Sequence, residues 1–106
     1  MLFISGQLPF DLQRHVVGHT PGQQTRQTLK NVLAIVEAAG GNLSDLVQVT
    51  IYISDIDYWS EVNQVYVEFF SGVEIKPARA MVPVKELHSG AQVEIQAVAY
   101  LGQEQS

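Results

Sequence analysis

The chain has 106 residues, which suits a single domain, and its net charge at neutral pH is −5. An acidic surface repels a phosphate backbone, so composition argues against nucleic acid as a partner. The absence of cysteine excludes disulfides, thiol nucleophiles and thiolate metal ligands. No apolar run reaches the roughly 20 residues of a membrane helix, and no basic region precedes the apolar start as in a secretory signal. We therefore expect a soluble cytoplasmic protein that does not enter membranes.

The first predicted strand covers residues 2 to 7. It contains Gly6, where the missing side chain lets another backbone or a ligand approach closely. Residues 9 to 19 contain a proline and a glycine and show little periodicity. They predict a turn with a short strand around residues 15 to 17.

The first helix has clear start and stop signals. Thr20 is a good N-cap, Pro21 suits the first helical position, and Gln23 completes a capping box. Gly40 and Gly41 permit the left-handed conformation that ends a helix. The predicted buried stripe follows the i, i+3, i+4, i+7 spacing and consists of Leu29, Val32, Leu33 and Val36.

A second strand and a second helix come next. The strand covers residues 46 to 54, and the helix begins near Asp55 or Asp57 and ends at Gly72. Apolar residues alternate along the strand and predict one buried face: Val47, Val49, Ile51 and Ile53. The helix has a predicted packing stripe of Trp59, Val62, Tyr66 and Phe69.

Two more strands, at residues 78 to 84 and 92 to 101, complete the order β-α-β-α-β-β. If both helices share a face of the sheet, that face takes the smoothly apolar rows, including Ala78, Ala80 and Val82. The opposite face is then mixed and carries Gln48, Thr50, Tyr52, Arg79, Met81, Glu94, Gln96, Val98 and Tyr100. Such a composition is typical of a subunit interface that encloses a site.

Arg79 and Glu94 are the two charges that interrupt these apolar strands, and strand parity predicts that they share a face. The planar guanidinium of Arg79 matches a carboxylate in two parallel hydrogen bonds. A glutamate in partly apolar surroundings, such as Glu94, is a candidate for proton transfer. The residues alone leave alternatives open: a salt bridge between the two, an arginine that extends into solvent, or a surface glutamate.

The three histidines are interpreted as solvated loop residues. His15 and His19 have i, i+4 spacing, but Gly18 and Pro21 argue against a helix there, and no third ligand is evident. His88 belongs to a separate loop. Nucleophile-elbow, phosphate-loop and dinucleotide motifs are absent from the sequence. We therefore expect neither a metal nor a cofactor.

Six segments together resemble the RidA family, also called the YjgF family, and the resemblance runs from Leu2 to about Tyr100. They occur in family order and are LFISGQLP (residues 2 to 9), QTRQTLKNVLAIVEAAG (24 to 40), VQVTIYISD (47 to 55), VNQVYVEFF (62 to 70), PARAMV (77 to 82) and GAQVEIQAVAY (90 to 100). The whole chain, residues 1 to 106, is thereby expected to be one RidA-like domain.

The resemblance implies a chorismate-mutase-like α+β fold: a mixed sheet with two helices packed on one face, assembled as a barrel-like homotrimer. It places the last strand at the centre of the sheet, antiparallel to its neighbours, and the sites in clefts between subunits. By position, Arg79 matches the family's carboxylate-binding arginine and Glu94 the glutamate that positions water or transfers a proton. Ser5, Gly6, Asn63 and the backbone of Met81 match residues that line the pocket.

The activity implied is hydrolytic deamination of reactive enamines and imines, such as 2-aminoacrylate and 2-iminopropionate, to 2-oxo acids and ammonia. A non-catalytic sensor or regulator that binds a small carboxylate is the alternative. Ribonuclease activity has been attributed to some relatives, but the acidic charge argues against it here. Relatives also carry an earlier segment with a Gly-Pro-Tyr-Ser motif whose tyrosine reaches the pocket. Two alternatives follow: the start of this sequence is truncated or misassigned, or the protein lacks both that strand and its tyrosine, which would put catalysis in question. We expect the first, since loss of an edge strand exposes apolar surface.

Overall fold

A computed structural model describes residues 1–101 of the chain, so residues 102–106 of the predicted domain lie outside it. Four strands form one sheet: β1 (Leu2–Gln7), β2 (Leu46–Ile53), β3 (Ala78–Pro83) and β4 (Val93–Ala99). Two helices, α1 (Pro21–Ala38) and α2 (Trp59–Phe69), complete the α+β fold. Within residues 1–101, no helix has the length and apolar character to cross a membrane.

The sheet is mixed and has the strand order β1-β4-β2-β3. The last strand, β4, runs antiparallel to both of its neighbours, whereas β2 and β3 are parallel. The central position of β4 confirms the order that the family resemblance implied, in place of a hairpin between the last two strands. Both helices pack on one face, where their apolar residues and those of the strands form a single buried cluster.

The capping signals of α1 act as the sequence predicts. The Gln23 amide nitrogen donates to Thr20 Oγ1 at 3.1 Å, and the Gln23 side chain accepts from the Thr20 amide at 3.3 Å. At the other end Gly40 adopts a φ of 90°, and the Gly41 amide donates to the Val36 carbonyl at 2.9 Å. The predicted stripe needs one correction, because Leu33 is only half-buried and the fully buried positions include Thr25 and Thr28.

The start and the inner face of α2 differ from the predictions. Asp55 caps a single 3₁₀ turn, Ile56–Tyr58, and α2 itself begins only at Trp59. Phe70 is fully buried at the end of the helix, whereas Phe69 is only partly buried. Trp59 keeps 38% of its surface exposed, so its interpretation as a core residue is wrong. The helix ends at Phe69, before the predicted stop at Gly72.

An irregularity at the start of β2 changes the predicted alternation. The pairing with β4 shifts register between Leu46 and Gln48, which turns Leu46 into the core and leaves Val47 exposed. From Val49 onward the alternation is as predicted, with Val49, Ile51 and Ile53 fully buried. A β-bulge shifts every residue before it to the opposite face, and it leaves no mark in the apolar pattern itself.

The register of β3 corrects the prediction that Arg79 and Glu94 share a face. Arg79 pairs with Val49, so it lies on the face that the helices cover. Glu94 pairs with Tyr52 and lies on the open face. The small residues Ala78 and Ala80, predicted to face the helices, are exposed instead. The prediction failed because β3 is an edge strand, where apolar character is a poor guide to the covered face.

Candidate functional site

One side of α2 holds the Arg79 side chain. Arg79 Nη1 donates a hydrogen bond to Asn63 Oδ1. The guanidinium carbon lies 5.4 Å from the centroid of the Trp59 ring and 5.1 Å from that of the Tyr66 ring. Residues 59, 63 and 66 have the i, i+4, i+7 spacing of one helix face. Two aromatic faces and an amide oxygen therefore orient the cation, each aromatic contact contributing about 0.5–1 kcal/mol at an exposed site.

The charge of Arg79 has no acidic partner among residues 1–101. In this part of the chain an ion pair joins Arg26 to Glu68, at 3.5 Å, and the His15 imidazole lies 4.0 Å from the Asp11 carboxylate. The salt bridge to Glu94, left open by the sequence, is therefore not formed. Arg79 is exposed. Its remaining N–H groups are free to bind an anion of matching geometry, such as a carboxylate.

Tyr66 supplies an uncharged aromatic surface beneath this arginine. The side chain is buried, and within residues 1–101 its hydroxyl has no hydrogen-bond partner. Burial raises the pKa of the Tyr66 phenol, and the positive charge of Arg79 opposes that rise. The phenol is therefore neutral at physiological pH, so it leaves the charge of Arg79 available to a ligand.

Ser5, Gly6 and Glu94 form a second group, where β1 pairs with β4. The register shifts between Ile4 and Gln7, and Ser5 and Gly6 occupy the irregular stretch. A Cβ atom on Gly6 would collide with Glu94 Oε2 and lie 3.0 Å from Glu94 Cδ. Gly6 thus leaves the space that the half-buried Glu94 carboxylate occupies.

Two clefts adjoin this second group, and Ser5 lines both. A cleft of about 330 Å³ on the open face runs past Phe3, Thr50 and Gln96. A wider one of about 780 Å³ lies between β1, the following loop and α1. Gly6 lines only the wider cleft. Glu94 itself lines neither cleft, so the open space lies beside its neighbours Ser5 and Gly6.

The six candidate residues thus separate into two groups within one chain. Arg79 and Asn63 are in contact, and Met81 lies two residues along β3 on the same face, half-buried against the core. Ser5, Gly6 and Glu94 form the other group. Trp59 and Tyr66 were interpreted only as packing, although their helical spacing from Asn63 was a signal that they share its face.

The histidines do not approach one another as ligands. His15 and His88 are exposed. The rings of His88 and Phe10 pack edge to face, with 6.4 Å between their centroids. Across residues 1–101 no group of three or more metal-ligating side chains is close enough to hold an ion. The group around Arg79 instead consists of one cation, one amide and two aromatic rings.

These features define a class of protein: a small α+β domain with a mixed sheet, an exposed arginine at one edge and a glutamate on the other face. Comparison with known proteins identifies the family. Residues 1–101 match the family model described as Endoribonuclease L-PSP. A RutC family protein of Pyrococcus horikoshii is 44% identical over 100 residues, which are 93% of this chain and 78% of that protein.

Two further similarities are informative. The 2-iminobutanoate/2-iminopropanoate deaminase of Salmonella typhimurium is 39% identical over 100 residues, covering 93% of this chain and 78% of that protein. The crystal structure of the YjgF gene product of E. coli superimposes with a TM-score of 0.87 at 37% identity, covering 93% of this chain and 79% of that one. The chain belongs to the RidA (YjgF) family.

Proposed function

We propose that this protein is an imine deaminase, which hydrolyses 2-imino acids and their enamine tautomers to 2-oxo acids and ammonia. The observation that carries the proposal is the environment of Arg79. This arginine is exposed, its side chain contacts only uncharged partners on α2, and no carboxylate within residues 1–101 pairs with it. A 2-imino acid offers a carboxylate to that cation and an electrophilic carbon one bond away. The name of the Salmonella relative supports this class of substrate.

The site that we propose combines two subunits. Within one chain, Arg79 lies on the helix face and Glu94 on the open face, with the sheet between them. A single small substrate therefore meets both groups only if Arg79 comes from one subunit and Glu94 from its neighbour. A homotrimer packed through the open face, where Phe3 is 75% exposed, is the assembly that we propose.

In the proposed mechanism Arg79 binds the substrate carboxylate and holds the C=N carbon beside the Glu94 carboxylate. Glu94 accepts a proton from water as the water oxygen forms a bond to that carbon. Starting from the protonated imine, this step gives a neutral carbinolamine, whose nitrogen then takes up the proton from Glu94. As the C–N bond breaks, the carbinol hydroxyl passes its proton to Glu94, so that the C=O bond of the 2-oxo acid forms, and the departing ammonia carries that proton away as ammonium. Positioning and one proton relay suffice, with acid–base catalysis contributing about 10²–10⁴-fold. Ser5, Gly6 and the backbone of Met81 line the proposed pocket.

A second candidate function shares the Arg79 site: a non-catalytic sensor that binds a small carboxylate. The separation of Arg79 from Glu94 within one chain favours this candidate if the protein does not assemble, because binding needs only the arginine. Catalysis needs both groups. Oligomeric state and activity together therefore discriminate between the two functions.

The test generates 2-aminoacrylate in situ with a pyridoxal-phosphate-dependent lyase and follows 2-oxo acid formation. Wild type should accelerate the reaction, whereas Arg79→Ala and Glu94→Gln should not. Binding of 2-oxobutyrate should be lost in Arg79→Ala and retained in Glu94→Gln. Carboxylate binding without acceleration by wild type would support the sensor, and binding that survives Arg79→Ala would contradict the proposed pocket.

A further inference from the structure

Trp59 lies beside the proposed carboxylate site, and part of its side chain is left exposed by the packing of the fold. It is the first residue of α2, and its ring is 5.4 Å from the Arg79 guanidinium carbon. Tyr66, which contacts the same guanidinium, is only 6% exposed, whereas Trp59 keeps 38% of its surface accessible. The two rings therefore differ: one is buried under the arginine, and the other extends from the arginine into solvent.

We propose that Trp59 is a specificity-determining residue, whose exposed indole surface binds the apolar side chain of the ligand that Arg79 holds. The substrate class that follows is 2-imino acids with branched or aromatic side chains, in preference to those with a methyl group. This inference rests on the proposed function, because it takes the Arg79 guanidinium as the carboxylate site.

Distances make this contact attainable for a large side chain. A carboxylate bound to a guanidinium in two parallel hydrogen bonds has donor–acceptor distances of about 2.7–2.9 Å. The ligand's carboxylate therefore lies directly beside a cation that is itself in contact with the indole. An isobutyl or benzyl group extends several bonds from the α-carbon and can cover the ring, whereas a methyl group ends next to the carboxylate.

The size of the expected selectivity follows from the apolar surface that the larger ligand buries against Trp59. Each methylene removed from water contributes about 0.8 kcal/mol when fully buried, which is roughly a four-fold change in affinity. An isobutyl group has three more carbons than a methyl group and would be only partly covered by one exposed ring. We therefore expect a preference on the order of ten-fold.

The experiment measures dissociation constants of pyruvate and 4-methyl-2-oxopentanoate by titration calorimetry, using the full chain. Trp59 is the single tryptophan of the sequence, so its fluorescence gives an independent signal of ligand contact in wild type. Wild type should bind the larger acid about ten-fold more tightly. Trp59→Ala should reduce that ratio to about two-fold or less and change pyruvate binding little, and Trp59→Phe should give an intermediate ratio.

The control variant is Val67→Ala, which removes another exposed apolar side chain of the same helix and should preserve the wild-type ratio. The inference is overturned if wild type shows no preference, if the preference survives Trp59→Ala, or if Trp59→Ala weakens both acids equally. The last result would mean that Trp59 only positions Arg79.

Failure of this inference is distinguishable from failure of the proposed function. Deamination by wild type without a Trp59-dependent preference overturns the inference alone. A Trp59-dependent preference without deamination overturns the catalytic function alone. If wild type binds neither acid, the carboxylate site itself is wrong and both proposals are overturned.

Discussion

Arg79 and Glu94 lie on opposite faces of one sheet, Arg79 paired with Val49 under the helices and Glu94 paired with Tyr52 on the open side. The two charged groups that the sequence singles out are therefore separated by the sheet itself. The proposed reaction uses both groups, so we expect it to need a second subunit, and this expectation is testable without a structure of the assembly.

Mixed oligomers should recover activity that neither parent variant has. Arg79→Ala and Glu94→Gln chains, unfolded together and refolded at equal concentration, should regain about a quarter of wild-type activity, because half of the chains supply each intact group to a shared site. The measurement is 2-oxo acid formation per chain, with each variant refolded alone as the control. If the mixture stays as inactive as its parents, the site does not combine Arg79 and Glu94 from two subunits.

Substitution of Gly6 should reduce turnover by displacing the Glu94 carboxylate. The methyl group of Gly6→Ala would collide with Glu94 Oε2. Because that atom is the end of a flexible side chain, Glu94 should move and the fold should persist. We expect kcat to fall on the order of 10²-fold, with little change in carboxylate affinity.

The matched control for Gly6→Ala is Gly72→Ala, since a Cβ atom on Gly72 meets nothing within 4 Å. Activity of Gly72→Ala should equal that of wild type. If Gly6→Ala turns over as fast as wild type, Gly6 is not needed to keep the Glu94 carboxylate in a catalytic position.

Removal of the Tyr66 hydroxyl should stabilise the protein. This hydroxyl is buried and has no partner among residues 1–101, whereas the ring contacts Arg79. Tyr66→Phe should raise the free energy of unfolding by about 1 kcal/mol at neutral pH and leave 2-oxo acid binding intact. Urea denaturation is the measurement, and Tyr100→Phe, at an exposed tyrosine, is the control.

The same tyrosine should make wild type less stable in alkali. Burial raises the pKa of Tyr66 above its ordinary value of 10.0, partly offset by Arg79. Above about pH 10 the unfolded chain loses this proton before the folded chain does, so the free energy of unfolding falls as pH rises. Tyr66→Phe should lose less stability above pH 10 than wild type. An identical alkaline decline in both proteins would contradict the raised pKa.

Gln24 should be among the more sensitive polar residues of the fold. Its side chain is 5% exposed, donates to the Gly18 carbonyl at 3.1 Å and accepts from the Gln92 amide at 2.8 Å. Gln24→Met leaves both backbone groups without these partners and should lower the free energy of unfolding by about 2–4 kcal/mol. Gln64→Met, at an exposed position of α2, should change it by less than about 0.5 kcal/mol. Equal effects of the two substitutions would contradict a bridging role for Gln24.

Much of the fold was predictable because its signals are local. The capping box of Thr20 and Gln23 and the stop at Gly40 each depend on residues within one helical turn. The three later strands were located by their period of two. Two of the exceptions, Val47 and Phe69, occur at a β-bulge and at a helix end, where the periodicity of an element breaks down.

The sequence by itself determined which residues carry charge in apolar strands, and family order identified Arg79, Glu94, Asn63 and Gly6 as candidates. Only the tertiary structure decided how they are grouped. Arg79 faces α2 because β3 pairs with β2 in one register, a contact between residues some thirty positions apart. Which face of an edge strand is covered depends on such distant pairing, so alternation along the strand placed Arg79 beside Glu94 although the sheet separates them.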